Sequence, residues 1–223
     1  MVAVLLFALV LGGLLTAGAS PTTAQAGGDC QVIEDFSKDK AGELPPDWRV
    51  RKGAGKEAYR VQEEGGRRFL QANVKGLGIQ AAKEYAWDLK AYPILAWAWR
   101  PREFPKGAHE KDGKNDSVLA VYMLVPYSRI VGPKAVKYVW SELVPEGTRL
   151  SSNNGLTQVR VLRSGTDRKN EWVEERVNVR DDYMKYFEVK DAPEPAGIAV
   201  LTDSDDTKSN AQGDYANFRV CRE

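Results

Sequence analysis

Residues 94–100 read Ile94-Leu95-Ala96-Trp97-Ala98-Trp99-Arg100, and their alternation decides the fold class. In an extended chain successive side chains point to opposite faces. Leu95, Trp97 and Trp99 therefore share one face, which makes the two indoles core candidates, while the small Ala96 and Ala98 share the other. The same period recurs in both directions along the chain, in Gln31-Val32-Ile33, Tyr59-Arg60-Val61-Gln62, Arg68 to Val74 and Gln158 to Leu162. Val118 to Val125 is a near-continuous apolar run, as expected of a central strand covered on both faces. Trp172 to Val179 returns to alternation, with Val173, Glu175, Val177 and Val179 on one side and Glu174, Arg176 and Asn178 on the other. Gly65-Gly66, Gly76, Gly78, Gly147, Asn153-Asn154-Gly155 and Ser164-Gly165 supply the turns between these runs. Short strands with regular turns predict an all-β chain folded as a single antiparallel β-sandwich.

Two segments depart from this pattern. Residues 180–187 carry Asp181 and Asp182 in a first turn and Lys185 later, a charge order that predicts one short helix. Arg102 to Asn115 is polar, contains glycine and has no period, and is expected to be a long exposed loop.

The N-terminal region bears on compartment. Val2 to Leu15 is apolar, shorter than the about 20 residues needed to span a bilayer, and is followed by Ala24-Gln25-Ala26. That triplet suits signal-peptidase cleavage, so residues 1–26 are expected to be a signal peptide and residues 27–223 the domain. Export to the periplasm or beyond, without a membrane anchor, is the expectation. Cys30 and Cys221, the two cysteines, stand near the ends of that domain. In an exported chain an even pair reads first as a disulfide, which would lay the first and last strands side by side. A formal net charge of +1 gives no electrostatic case for nucleic acid or an anionic membrane. Six Trp and nine Tyr are enough both to fill a core and to offer stacking platforms for sugar rings.

The ordered motifs Trp97-Ala98-Trp99-Arg100, Asn115 to Tyr122, Lys137-Tyr138-Val139-Trp140, Trp172 to Val179 with Asp182, and Thr202 to Thr207 resemble an exported bacterial family, domain of unknown function 3047. The resemblance spans roughly residues 30 to 220. The family's pattern carries paired acids where Asn115-Asp116 stands here, and an Arg-Asn pair where Arg176-Val177-Asn178 stands. The resemblance implies a jelly roll, similar to galactose-binding-type and other carbohydrate-binding modules. Pro45-Pro46-Asp47-Trp48 and Gly213 to Val220 look like its ends, with first and last strands paired.

Nucleophilic hydrolysis is poorly supported. The one histidine, His109, lies in the polar loop, and no Gly-x-Ser-x-Gly elbow or His/Cys metal cluster is present. A glycoside hydrolase needs only two carboxylates, for which Asp116, Glu174, Glu175, Asp182, Asp203 and Asp205 are candidates. The favoured reading is an exported, monomeric, non-catalytic binding protein of the cell envelope whose partner is a carbohydrate. A sandwich that binds another protein is the third reading. Trp140, which follows Tyr138 in alternation and precedes Ser141-Glu142, is the expected surface aromatic. Arg176 and Asn178 could reach hydroxyls or a carboxylate. The loop Thr202-Asp203-Ser204-Asp205-Asp206-Thr207 closes an apolar strand with three carboxylates. Asp203 and Asp205 are candidate ligand-binding groups, and with Asp206 they could hold a Ca²⁺ if backbone carbonyls or the first-strand acids Glu34 and Asp35 complete the oxygen cage. The same residues also form ordinary turns. Mutual repulsion requires a compensating cation, basic side chain or backbone amides, with Arg176 the favoured base and Ca²⁺ the competing solution.

Overall fold

The computed structural model describes residues 29–51 and 53–223; the expected signal peptide lies outside the described residues. The chain folds as two packed β-sheets. One sheet, A, runs β11 (Val173–Asn178), β6 (Ile94–Glu103), β13 (Asn210–Cys221), β4 (Arg67–Lys75) and β3 (Tyr59–Glu64), with β1 (Cys30–Glu34) also pairing β13. The other, B, runs β2 (Trp48–Val50), β5 (Ala81–Glu84), β12 (Gly197–Leu201), β7 (Leu119–Ser128), β8 (Gly132–Ser141), β10 (Thr157–Ser164) and β9 (Arg149–Ser152). All pairings are antiparallel except β8 with β10. There the chain leaves β8, forms β9 at the sheet edge and turns back through a 3₁₀ turn at Asn153–Gly155, so β10 enters beside β8 in the same direction.

The inner face of each sheet carries the residues whose alternation predicted it. Leu95, Trp97 and Trp99 of β6 face Val136, Tyr138 and Trp140 of β8, all buried. Trp97 lies 5.3 Å from Trp99 and 5.7 Å from Tyr138, and Trp99 lies 5.8 Å from Trp140. Such aromatic pairs add about 0.5–1.5 kcal/mol each beyond the area they bury. Glu175 ties the sheets together: it accepts from Trp99 Nε1 at 3.1 Å and from Arg163 of β10 at 2.7 and 3.0 Å. That carboxylate, a hydrolase candidate by sequence, is therefore fully engaged inside the sandwich.

Helix α2 (Val179–Phe187) takes the expected place, opened by Asn178, whose side chain accepts from the Asp181 N–H at 3.0 Å. A second short helix, α1 (Gly53–Ala58), carries no signal that separates it from a turn. Cys30 and Cys221 are bonded and occupy the same register position of β1 and β13, so the terminal strands do lie side by side. Part of the loop expected to be exposed is folded down. Arg102 and Glu103 continue β6, Phe104 and Ala108 are buried, and a bridge between His109 and Lys114 shapes the turn. Among the described residues no helix is long and apolar enough to cross a membrane.

Candidate functional site

The outer face of sheet B places the site. On β7 and β8 the residues that alternate with the core set, Ala120, Tyr122 and Leu124 with Ala135, Lys137 and Val139, point away from sheet A. Tyr122 and Lys137 are register partners on these neighbouring strands, and Ala135 pairs Thr157 of β10. Together with Leu201 of β12 they floor a cleft of about 370 Å³. Its walls are the β7–β8 hairpin (Val131, Gly132, Pro133), Ser152 at the end of β9 with Asn153 after it, and Asn115, Gln80 and Arg51. The floor is borne by strands in the middle of a seven-stranded sheet, so its groups are held rigidly.

One end of this face adjoins the acidic loop. Two core tyrosines of sheet A fix the strand that feeds it: Tyr215 Oη donates to Leu201 O at 2.8 Å, and Thr202 N–H donates to Tyr59 Oη at 3.4 Å. The loop backbone then bonds Ser117 O through Asp203 N–H and Leu77 O through Ser204 N–H. Gly78 bridges Asp203, and a Cβ there would collide with Asp203 Oδ1 and come within 2.9 Å of the Asp205 carboxylate. Asp116 accepts from the Asp206 and Thr207 N–H groups at 3.0 and 2.8 Å and from the Thr207 hydroxyl at 2.6 Å.

Asp116, Asp203 and Asp205 each bring one carboxylate oxygen within 4.8 Å of the others. Burial, then the Asp205 and Asp116 charges, push Asp203 up to about 7, against the opposing pull of Lys137 and the Asp205 N–H. Three converging oxygens are half or fewer of the six to eight that Ca²⁺ takes. Asp206 is turned the other way and accepts from the Asn115 backbone and side chain at 3.1 and 2.8 Å. Neither Glu34 nor Asp35 joins the trio: Glu34 pairs Lys83 at 3.0 Å and accepts from Trp48 Nε1, and Asp35 caps the turn at Ser37.

Several expected site residues stand elsewhere. Trp140 is not a surface aromatic. It is 1% exposed, packed on Trp99, with its Nε1 donating to Gly165 O at 2.9 Å. Alternation with Tyr138 holds, but it places both rings on the inner face, and the polar Ser141 that follows belongs to the outer one. Arg176 lies on the exposed face of β11 in sheet A, its guanidinium 3.5 Å from Cys221 Sγ, and does not approach the acidic loop. The compensating cation for that loop is Lys137. Asn178 is spent on the helix cap. Trp172 is half-buried on the outer face of sheet A between the guanidinium groups of Arg67 and Arg100, 5.0 and 4.5 Å from its ring. His109 stays in its loop, 3.3 Å from Asp112.

Sequence reading missed Tyr122, Lys137 and Thr157. The available signal was a lone lysine in a strand, flanked on its own face by Ala135 and Val139. A lysine between two apolar residues on a covered face must point into a cavity or against a carboxylate.

These features define a two-sheet β-sandwich with a polar cleft on the outer face of one sheet. The chain belongs to the family described as "Protein of unknown function (DUF3047)", whose model matches residues 46–219. No curated protein matches the chain. Among solved structures it is similar to the family 11 carbohydrate-binding module of the cellulosomal cellulase Lic26A-Cel5E of Clostridium thermocellum. The two are 8% identical over 87% of this chain and 95% of that one, with a TM-score of 0.45. It is also similar to a carbohydrate-binding module, CBM28, specific for non-crystalline cellulose (9% identity, 85% and 93% covered, TM-score 0.44). A cellulase derived from Cel12A of Rhodothermus marinus is another (12% identity, 82% and 100% covered, TM-score 0.42). At such identities the likeness concerns the sandwich alone.

Proposed function

We propose that this chain is an exported, non-catalytic carbohydrate-binding protein of the bacterial cell envelope, and that the sugar lies in the cleft on the outer face of sheet B. The observation that carries this reading is the cleft's lining. Gln80, Asn115, Ser152, Asn153 and Thr157 offer amides and hydroxyls that both donate and accept, as sugar hydroxyls require, and Tyr122 adds an aromatic ring. A floor set on paired strands keeps the ordering penalty of binding low. The Cys30–Cys221 disulfide supports an oxidising compartment, hence export.

A hydrolase is the second reading, favoured by one observation: a carboxyl pushed up to about 7 beside two others, the pattern of an acid paired with a base. Against it, Asp116, Asp203 and Asp205 are absent from the cleft lining, and Asp116 is committed to the loop backbone.

Ser152→Trp tests the cleft from an exposed position at the end of β9 whose side chain makes no capping hydrogen bond. Glycan-array hits on residues 27–223 followed by calorimetry should show binding weakened by about tenfold or more in this variant, with its melting curve unchanged. Undiminished affinity would put the site elsewhere. Release of new reducing ends from the bound glycan, lost in Asp203→Asn, would establish the hydrolase instead.

A further inference from the structure

We propose that the saccharide taken by this cleft carries a carboxylate, that is, a uronic-acid residue, and that Lys137 is the group that pairs with it. This rests on the cleft being the sugar site. Lys137 is 6% exposed and lines the cleft floor. Its neighbours on that face of β8, Ala135 and Val139, are buried and apolar, and its ammonium stands 5.5 Å from the Tyr122 ring centre. The lysines with ion pairs among the described residues are Lys40, Lys83 and Lys90; Lys137 has no carboxylate oxygen within 4.0 Å.

The acids that act on it do so from farther away, and both are occupied. Glu110 accepts from the Ser117 and Ser141 hydroxyls at 3.2 and 2.6 Å, and Asp203 accepts from the Asp205 N–H at 3.2 Å. Burial pulls the Lys137 pKa down, but Tyr122, Asp203 and Glu110 outweigh it, so the ammonium stays charged. The ammonium thus has Tyr122 beside it and two carboxylates acting beyond ion-pair distance, but no anion in direct contact, and its remaining donors are those a carboxylate can take. The cleft is the open side from which one can arrive, and Arg51 at its wall adds a second positive charge. A carboxylate on a sugar ring takes those donors while the ring's hydroxyls meet Thr157, Asn115 and Gln80. A neutral sugar would leave Lys137 as it is.

The test is calorimetry on residues 27–223 with tetrasaccharides of galacturonate, glucuronate and mannuronate, each set against its methyl ester, and with sulfated and phosphorylated tetrasaccharides. At least one acid should bind tighter than its ester by about tenfold to a hundredfold, the value of a charge-assisted hydrogen bond. That preference should shrink as salt is raised. Lys137→Met should abolish it, bringing the acid-to-ester affinity ratio to about one whatever happens to ester affinity itself, and Lys137→Arg should retain part of it. If Lys137→Met shows no cooperative melt, retention in Lys137→Arg and the salt dependence decide. Equal binding of acid and ester in the wild type, with Ser152→Trp still weakening both, overturns the carboxylate and leaves the cleft as sugar site. Binding of no saccharide in either form overturns both readings. Tighter binding of the sulfated or phosphorylated sugar overturns the uronate assignment.

Discussion

Replacing Cys30 and Cys221 together by alanine should lower unfolding stability by about 3–5 kcal/mol. The bond spans 191 residues of separation, and in the chain-entropy account a loop of that length restricts the unfolded state by about 5 kcal/mol. Native strain lowers such gains, which sets the lower bound. Apart from the bond, the first strand is held by its pairing with β13, by Ile33 in the core and by Glu34 on Lys83 and Trp48. β1 is five residues long, pairs only β13, loses register between Val32 and Glu34, and leaves Val32 exposed while burying Ile33. For a domain of this size the midpoint temperature should fall by on the order of 10 °C. Urea unfolding of the wild type with and without reductant, beside the double-alanine variant, measures the effect. Equal midpoints in all three samples would show that the bond contributes nothing to stability.

The arrangement of strands was largely legible, because a buried two-sided sheet writes its period into the sequence. Leu95, Trp97 and Trp99 are inside, Val118 to Val125 is covered on both faces, and Val173, Glu175 and Val177 alternate inward as expected. The charge order of residues 180–187 marked α2 to within one residue. The parallel entry of β10 beside β8 was not legible, since alternation carries no direction and β9 reads as any short strand.

The placement of the acidic loop was legible; the cleft beside it was not. The apolar run before Thr202 does anchor the loop, and Asp203 is buried and partnered. Which cation faces it depends on what lies across the sheet. Arg176 and Lys137 look alike in sequence, each a base within an alternating strand, yet one belongs to sheet A and the other to sheet B. Trp140 failed for a related reason. A strand of alternating aromatic and small residues fixes which side chains share a face, and only the opposite sheet decides which face is inside.

Asp203 should make stability depend on pH, and Asp203→Asn should remove that dependence. Its folded pKa is raised from 3.8 to about 7, chiefly by burial and then by the Asp205 and Asp116 charges. Between those values the folded chain holds a proton that the unfolded chain has released, so ν_N exceeds ν_U and stability falls as pH rises. The penalty is absent below about pH 4, grows through the interval and is complete above about pH 7. The difference between the two values corresponds to about 4 kcal/mol at most. Lys137 reduces the net gain from the variant, because asparagine no longer balances its charge. The amide oxygen of the introduced asparagine can still accept from the Asp205 N–H, and the backbone bond from position 203 to Ser117 O is untouched. Urea unfolding at pH 5 and pH 8 should therefore show the variant close to wild type at the lower pH and more stable at the higher. The series is run in chelator and again with calcium, since a bound divalent cation would keep Asp203 ionised and flatten the wild-type profile. A slope in chelator that calcium erases would place the metal at Asp116, Asp203 and Asp205. Parallel profiles for wild type and variant in chelator would mean that Asp203 titrates as an ordinary surface carboxylate.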